Sequence, residues 1–289
     1  MSEYFPAVGV IGKGALVRMM TAPALALGVD IVNIQDGIDA RSLKHCSVTT
    51  WVGESISLSQ AKTLENAGIT IRPNSSSIGF VKEWNERSRE RLHGGELNSA
   101  KYSVLVARSP HGQASAWTPT QVQDQRSSDV TITPAPNLSV DQMGVAQTLA
   151  LDLVKESGTV GVMDVEIFLN EGELLAGHLS LGPTLHGSWT IEGARTSQFE
   201  QHLRAILDLP LGDPSLTQPF CVSGTYSGEG NMYRPYLHLM ARSPGLKIHQ
   251  YRSEAGQAKG HVTAMGEDLL DLKECVAHAI EYMSGVIDE

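Results

Sequence analysis

The chain has 289 residues, of which 41% are hydrophobic and 19% are charged, so it has ample material for a buried core. With 22 basic and 32 acidic residues its formal net charge is −10, which opposes general binding to the phosphates of nucleic acids. No apolar stretch approaches the length of a membrane span, and Cys46, Cys221 and Cys275 fall in no metal-ligand spacing. We therefore expect a cytoplasmic protein with reduced thiols that contacts neither nucleic acid nor membrane.

The first quarter of the chain alternates apolar runs with helical stretches. The predicted strands are Ala7–Ile11, Asp30–Ile34 and residues 48–52 and 69–72, and the predicted helices are residues 16–27 and 58–67. Pro23 lies inside the first of these helices and should kink it or shift its start. Strand–helix alternation is typical of a parallel sheet, so we predict an α/β fold.

The pattern changes after residue 74. A highly charged helical stretch at residues 80–92 is broken by His93-Gly94-Gly95, which indicates a domain junction. The elements predicted beyond it are strands at residues 102–107, 114–118, 122–125 and 130–133, a helix at Val140–Glu156, a hairpin of residues 160–168 and 174–181, and a helix around Phe199 and Leu203. A smaller unit closes the chain, with strands near residues 220–225, 246–249 and 261–264 and a helix at residues 268–286.

Two early features could bind a ligand. Gly12 and Gly14 follow the first strand, where a glycine turn can hold a phosphate against a helix N-terminus. Their spacing is wrong for a dinucleotide fingerprint, and a tight strand–helix turn is the alternative. Glu54 follows the third strand, where open sheets place ligands, although a solvated loop acid would have the same sequence.

Later polar residues are ambiguous. Asp164 and Glu166 alternate on one predicted strand with Glu173 across the hairpin, a pattern that suits Mg²⁺ held with nucleotide phosphates. Taken locally, the better interpretation is an exposed strand face. His178 and His186 flank the next segment with no third ligand at metal spacing, so ordinary hydrogen-bonding histidines are the simpler interpretation.

A long segment at residues 189–212 carries a resemblance. It reads WTIEGARTSQFEQHLRAILDLPLG and closely resembles the carboxyaminoimidazole ribonucleotide synthetases. Other stretches agree with that family in the same order, at residues 8–20, 50–73, 103–113, 134–168 and 260–263. The resemblance implies an α/β, overall α+β, chain with a reduced Rossmann-like domain at residues 1–75, a reduced ATP-grasp body at residues 76–212 and a small β-rich domain at residues 213–289.

The same resemblance implies a chemistry. Members of the family use ATP and Mg²⁺ to activate bicarbonate and then carboxylate aminoimidazole ribonucleotide, generally as dimers. Of the family's substrate-binding positions, Gly12, Gly14, Glu54 and Arg108 are kept in this chain. Glu166 is kept as one metal carboxylate.

Several departures from the family pattern argue against that chemistry. The family's nucleotide-covering lobe should follow Leu92, but only residues 94–101 separate this helix from the next strand. The second metal carboxylate is replaced by His178, and a family lysine by Asn85. The family's catalytic arginine, histidine and asparagine fall at Gly182, Thr184 and Leu185. Losing one charge-stabilising donor typically costs about two to three orders of magnitude in rate.

From these losses we expect a catalytically inactive homologue with no ATP or Mg²⁺ cofactor. It would act as a binding or assembly protein, as a homodimer or with a related enzyme, and a small nucleotide is a candidate ligand. The alternative is a repurposed ATP-independent enzyme acting on an imidazole nucleotide. His178 and His186 would then be its acid–base residues.

Overall fold

The computed structural model describes residues 6–35, 37–53, 56–92, 100–125, 128–227, 234–251 and 258–287. Its strands, in chain order, are β1 (Ala7–Ile11), β2 (Asp30–Ile34), β3 (Val48–Trp51), β4 (Lys101–Arg108), β5 (Ala114–Ala116), β6 (Thr120–Gln125), β7 (Ser128–Thr133), β8 (Gly161–Asn170), β9 (Glu173–Leu181), β10 (Phe220–Tyr226), β11 (Lys247–Gln250) and β12 (Gly260–Gly266). Its helices are α1 (Ala15–Leu27), α2 (Ala40–Leu43), α3 (Leu58–Asn66), α4 (Ser75–Leu92), α5 (Val140–Glu156), α6 (Thr190–Gly193), α7 (Gln198–Ile206), α8 (Arg234–Arg242) and α9 (Leu269–Met283), with a 3₁₀ turn at His186–Trp189. None of these helices is both long and apolar enough to cross a membrane.

The N-terminal unit is a small parallel sheet in the order β2-β1-β3, which confirms the predicted α/β class. Helix α1 runs through Pro23 and ends at Gly28, whose left-handed backbone (φ 67°) caps it. The strand predicted at residues 69–72 is reduced to one bridge between Thr49 and Ile71.

The larger sheet carries most of the remaining strands. Its described strands follow the order β11-β12-β10-β7-β6-β4-β8-β9, and β5 pairs with β4. Strand β10 is antiparallel to β7, so the sheet continues across the boundary predicted at residue 212. The division of the chain into three domains stays a prediction.

One face of this sheet packs against the helices α5 and α9. Tyr102, Val104 and Val165 are buried in the core shared with α5, and Val222 and Val262 are buried in the core shared with α9. The intervening positions of the same strands point to the opposite face because side chains alternate along a strand. That opposite face carries the polar groups described below.

Helix α8 was absent from the sequence prediction. Its sequence places Pro235 at the second helical residue, close to the position where proline is favoured at a helix start. A proline followed by Tyr236 and Leu239 at helical spacing was therefore a usable signal.

Helix α7 joins the two sheets. Phe199 and Leu203 pack into the core of the N-terminal sheet. Between them, the buried His202 side chain accepts a hydrogen bond at Nδ1 from the Val162 amide, at 3.1 Å. Because Nδ1 is an acceptor, Nε2 carries the proton and donates to Thr50 Oγ1 at 2.8 Å. One imidazole thus connects β3 to β8.

We predict that His202→Leu lowers the free energy of unfolding by about 2–4 kcal/mol, because it leaves the Val162 amide and the Thr50 hydroxyl buried without a partner. Burial lowers the pKa of His202 to about 3. The stability that its neutral form contributes is present above the unfolded pKa of 6.5 and is lost as the pH falls towards 3.

Denaturant unfolding at several pH values measures both effects. Wild type should lose stability more steeply than His202→Leu between pH 6.5 and 4. His111→Leu is the matched control, since His111 is 84% exposed. Equal stability of the two variants would contradict the bridging role of His202.

Candidate functional site

A group of polar side chains crosses the larger sheet on the face turned away from α5. Lys101 and Ser103 come from β4, and Asp164 and Glu166 come from β8. In the antiparallel register Ser103 lies opposite Glu166, so these alternate positions share one face. We call these four residues the carboxylate patch.

Both carboxylates of the patch are held by specific partners. Glu166 Oε1 lies 2.7 Å from the Lys101 ammonium. Asp164 Oδ1 accepts a hydrogen bond from Ser103 Oγ at 2.6 Å, and Oδ2 accepts one from Thr184 Oγ1 at 2.9 Å. Asp164 is only 5% exposed, so the interpretation of this strand as an exposed face is wrong. A buried carboxylate that accepts hydrogen bonds from two hydroxyl groups is held in one orientation, unlike an acid on the solvated surface.

Strand β9, which pairs with β8 in the hairpin, leaves room for the Glu166 carboxylate. Gly177 has no side chain, and a Cβ there would lie 2.9 Å from Glu166 Oε2 and 2.5 Å from the Phe168 ring. The next amide, that of His178, donates to Glu166 Oε2 at 3.1 Å. Glycine at 177 therefore allows the carboxylate to approach the strand backbone.

Helix α4 holds the edge of β9. Asn85 accepts from the Leu179 amide at 2.8 Å through Oδ1 and donates to the Leu179 carbonyl at 2.9 Å through Nδ2. Trp84 Nε1 donates to the Gly177 carbonyl at 2.9 Å. Asn85, which stands where the family has a lysine, thus pairs with the strand edge as a neighbouring strand would.

A second pair lies on the same face. His186 Nε2, in the 3₁₀ turn, lies 3.6 Å from Asp129 Oδ2 on β7. The neighbouring Asp129 carboxylate is the main reason that the pKa of His186 is raised, and burial opposes it. The same contact lowers the pKa of Asp129. Both residues line a small cavity with Thr131, Ser223 and His261.

Charges of the carboxylate patch affect the pKa values of His186 and Asp129. The charge of Asp164 also raises the pKa of His186, whereas the charge of Lys101 lowers it. Lys101 also contributes to the low pKa of Asp129. The two groups are therefore parts of one charged region.

The predicted histidines have separate surroundings. His178 is exposed, and its Nε2 lies 3.5 Å from Asn85 Nδ2. His186 lies in the charged region beside Asp129. Only His186 is thus placed beside an acidic partner that could support acid–base chemistry.

The glycine turn is closed internally. The Gly12 amide donates to the Ile34 carbonyl at 2.9 Å, and its carbonyl accepts from Asn33 Nδ2 at 2.9 Å. Its backbone groups are therefore engaged, as a tight strand–helix turn requires. Gly14 caps α1 with a positive φ of 88° and open space where a Cβ would stand. Glu54 lies outside the described residues.

Arg108 is not brought to the carboxylate patch. It ends β4, seven residues from Lys101, which corresponds to about 23 Å along a strand. Its guanidinium lies 3.5 Å from the Thr159 carbonyl. A ligand contact of Arg108 would belong to a different end of the sheet.

Sequence reasoning missed Lys101, Ser103 and Asp129 as site residues. The available signal was spacing, because Lys101 and Ser103 alternate on one strand as Asp164 and Glu166 do on another. What the sequence did not give was the register that sets the two strands side by side. For Asp129, no local pattern points to His186.

The patch has suitable groups for a magnesium-bound nucleotide. Carboxylate oxygens are the protein ligands that Mg²⁺ prefers, and a lysine ammonium is a common partner of phosphate. Glu166 and Lys101 here neutralise each other at 2.7 Å. A magnesium–phosphate group would offer a partner of opposite charge to each.

Comparisons with known proteins agree with the fold. The ATP-grasp domain family matches residues 99–199. N5-carboxyaminoimidazole ribonucleotide synthase of Mycobacterium bovis is 42% identical over 191 residues, which cover 63% of this chain and 44% of that protein. The chain therefore spans less than half the length of this relative.

Solved structures match over most of the chain. The N5-carboxyaminoimidazole ribonucleotide synthetase of Thermotoga maritima has a TM-score of 0.81 at 23% identity, covering 95% of this chain and 98% of that one. The synthase of Aspergillus clavatus in complex with ADP and 5-aminoimidazole ribonucleotide has a TM-score of 0.79 at 19% identity, covering 96% and 98%. At these identities the likeness shows the fold.

Two expectations from the sequence are wrong. The relatives are named as synthases, which overturns the expectation that this protein is not an enzyme. The ATP-grasp match and neighbours solved with ADP or ATP overturn the expectation of no cofactor. Gly182, Thr184 and Leu185 do depart from the family pattern, but Asp164 is buried and Lys101 is paired with Glu166, neither of which the sequence pattern indicates.

The resemblance predicted from the sequence is confirmed. This chain resembles the N5-carboxyaminoimidazole ribonucleotide synthases, is shorter than they are, and shares the fold of their solved structures.

Proposed function

We propose that this chain is an enzyme of purine biosynthesis that uses a magnesium-bound adenine nucleotide to modify an aminoimidazole ribonucleotide. The observation that carries the proposal is the 2.7 Å pair of Lys101 and Glu166 beside the buried Asp164. The resemblance to synthases of that pathway supports the substrate class.

The charges of the patch suit the nucleotide phosphates. Glu166 would hold the metal ion, which supplies charge neutralisation for phosphoryl chemistry when bound. Lys101 would then turn from Glu166 to a phosphate oxygen. Asp164 is kept in one orientation by Ser103 and Thr184, so it can receive the metal or its water without reorganising.

His186 can supply positive charge or a proton on the same face. It lies four residues after Gly182, where the related family has an arginine. Asp129 orients the imidazole and favours its protonated form. The cation therefore compensates in part for the arginine that the chain lacks.

We predict that wild type binds MgADP and that Glu166→Gln weakens this binding at least tenfold, because a neutral amide is a poorer magnesium ligand than a carboxylate. Isothermal titration calorimetry measures the affinity. Glu173→Gln is the matched control, since Glu173 lies on the neighbouring strand but is exposed, and its affinity should equal that of wild type.

Turnover is measured separately with ATP, bicarbonate and aminoimidazole ribonucleotide. Phosphate release that requires the ribonucleotide supports the proposal. No MgADP uptake by wild type would overturn it. Tight uptake without turnover on any imidazole ribonucleotide would instead indicate a binding protein.

We also predict that Asp129→Asn lowers the pKa of His186, because the neighbouring negative carboxylate that raises it is replaced by a neutral amide. Histidine NMR resonances followed against pH measure the shift. His178→Gln removes an exposed histidine of the same segment and should leave the His186 titration unchanged. An unaltered pKa in Asp129→Asn would contradict the pairing.

The same pair should affect stability in a defined pH range. The pKa of His186 is raised in the fold, so its contribution is full below 6.5 and is lost as the pH rises through the folded value. The pKa of Asp129 is lowered, so its contribution is present above 3.8 and is lost as the pH falls. The stability difference between wild type and His186→Gln should therefore be largest between pH 3.8 and 6.5.

A further inference from the structure

A second cluster of ligating side chains lies outside the proposed nucleotide site. Glu192 on α6, His249 on β11 and His261 on β12 each offer one ligand atom, and the three atoms lie within 4.8 Å of one another. We call these three residues the His–Glu cluster. None of them has a part in the function proposed above.

The sheet register builds this cluster. His249 and His261 lie directly opposite each other on β11 and β12. Their rings stack with centroids 4.4 Å apart and planes 7° apart. His249 Nε2 lies 2.6 Å from Glu192 Oε1, which brings α6 against this pair of strands.

Two atoms of the cluster are buried without a partner. Glu192 Oε2 and His261 Nε2 are inaccessible to solvent, and neither has a hydrogen-bond partner among the described residues. His261 is 1% exposed. Buried polar atoms are almost always satisfied, so two orphaned ligand atoms in one cluster point to a group that completes them.

The ring of His261 is held in place by a hydrogen bond at its other nitrogen, Nδ1. Nδ1 lies 2.6 Å from the Tyr251 hydroxyl. The tautomer that donates from Nδ1 to the Tyr251 oxygen leaves Nε2 with its lone pair free. A hydrogen bond of this kind, on the nitrogen away from the ion, is what holds metal-binding histidines in place.

We propose that Glu192, His249 and His261 bind a divalent transition-metal ion, with Zn²⁺ as the best match. Two imidazole nitrogens and one carboxylate are a donor set that suits Zn²⁺, whereas Mg²⁺ prefers oxygen ligands alone. Zinc–nitrogen bonds are about 2.0–2.1 Å long, so binding would open the 2.6 Å contact between Glu192 and His249 and turn one of the two nearly parallel rings towards the other. A fourth position stays open to water or to a substrate group.

The position of the cluster would place a bound ion next to the charged region. His261 also lines the small cavity that contains His186 and Asp129. The ion would thus lie at the wall of the charged region and would join α6 to β11 and β12. Bound metal should stabilise this contact because it binds the folded chain and not the separated segments.

The test uses the purified full chain after treatment with a chelator. Zinc is titrated by calorimetry, and Co²⁺ is added as a spectroscopic substitute. We expect wild type to bind one ion more than Glu192→Gln or His249→Gln, with affinity at the cluster reduced at least 100-fold in each. The visible Co²⁺ bands of a four-coordinate site should be strong in wild type and absent from both variants.

Two matched controls separate this cluster from other histidines. His111→Gln changes an exposed histidine paired with Asp208. His278→Gln changes a second histidine pair, in which His238 Nε2 and His278 Nε2 lie 3.3 Å apart. Both controls should bind zinc as wild type does, and loss of the ion in either would overturn the assignment.

Folding is checked in chelator, and nucleotide binding is checked on the same proteins after the chelator has been removed. Glu192→Gln keeps the shape of the side chain, and circular dichroism in chelator verifies that it folds. Wild type without zinc affinity, or variants that retain it, would overturn the proposal. MgADP affinity should be equal in Glu192→Gln and wild type, so failure of the metal site is distinguishable from failure of the proposed function.

Discussion

The antiparallel register of β4 and β8 is the constraint on which the candidate site depends. It sets Ser103 opposite Glu166 and places Lys101 and Asp164 on the same face. Tyr102 and Val165 then point into the core with α5. A slip of one residue would exchange the two faces and bury the charged groups among apolar side chains. The same pairing therefore specifies both the core and the polar face.

Local sequence patterns predicted the strands and helices but did not predict the contacts of the candidate site. The strand Asp30–Ile34 and the helix Val140–Glu156 were predicted with the bounds that the structure has, because apolar periodicity is a local signal. Asp129 and His186 are 57 positions apart in sequence, and their contact depends on how the 3₁₀ turn packs over β7. No periodicity within either segment carries that information.

The misjudged residues share one cause. The sequence pattern predicts that Asp164 is exposed on its strand. In the structure, the turn after β9 places Thr184 against it. Asn85 looks like a lost lysine until the edge of β9 is seen to need a partner for Leu179. In both cases the sequence gives the residue but not what lies beside it. A substitution at a family position can thus have a structural role, as Asn85 does at the edge of β9.

The pairing of β10 with β7 limits how this protein can move. Backbone hydrogen bonds join Cys221–Gly224 to Val130–Thr133 across the end of the predicted central domain. The last seventy or so residues therefore cannot swing as a separate lobe unless a ladder in the middle of a sheet is broken. Opening to admit the proposed nucleotide should instead involve the edge near β9 and α4, where side chains of α4 bond to the β9 backbone.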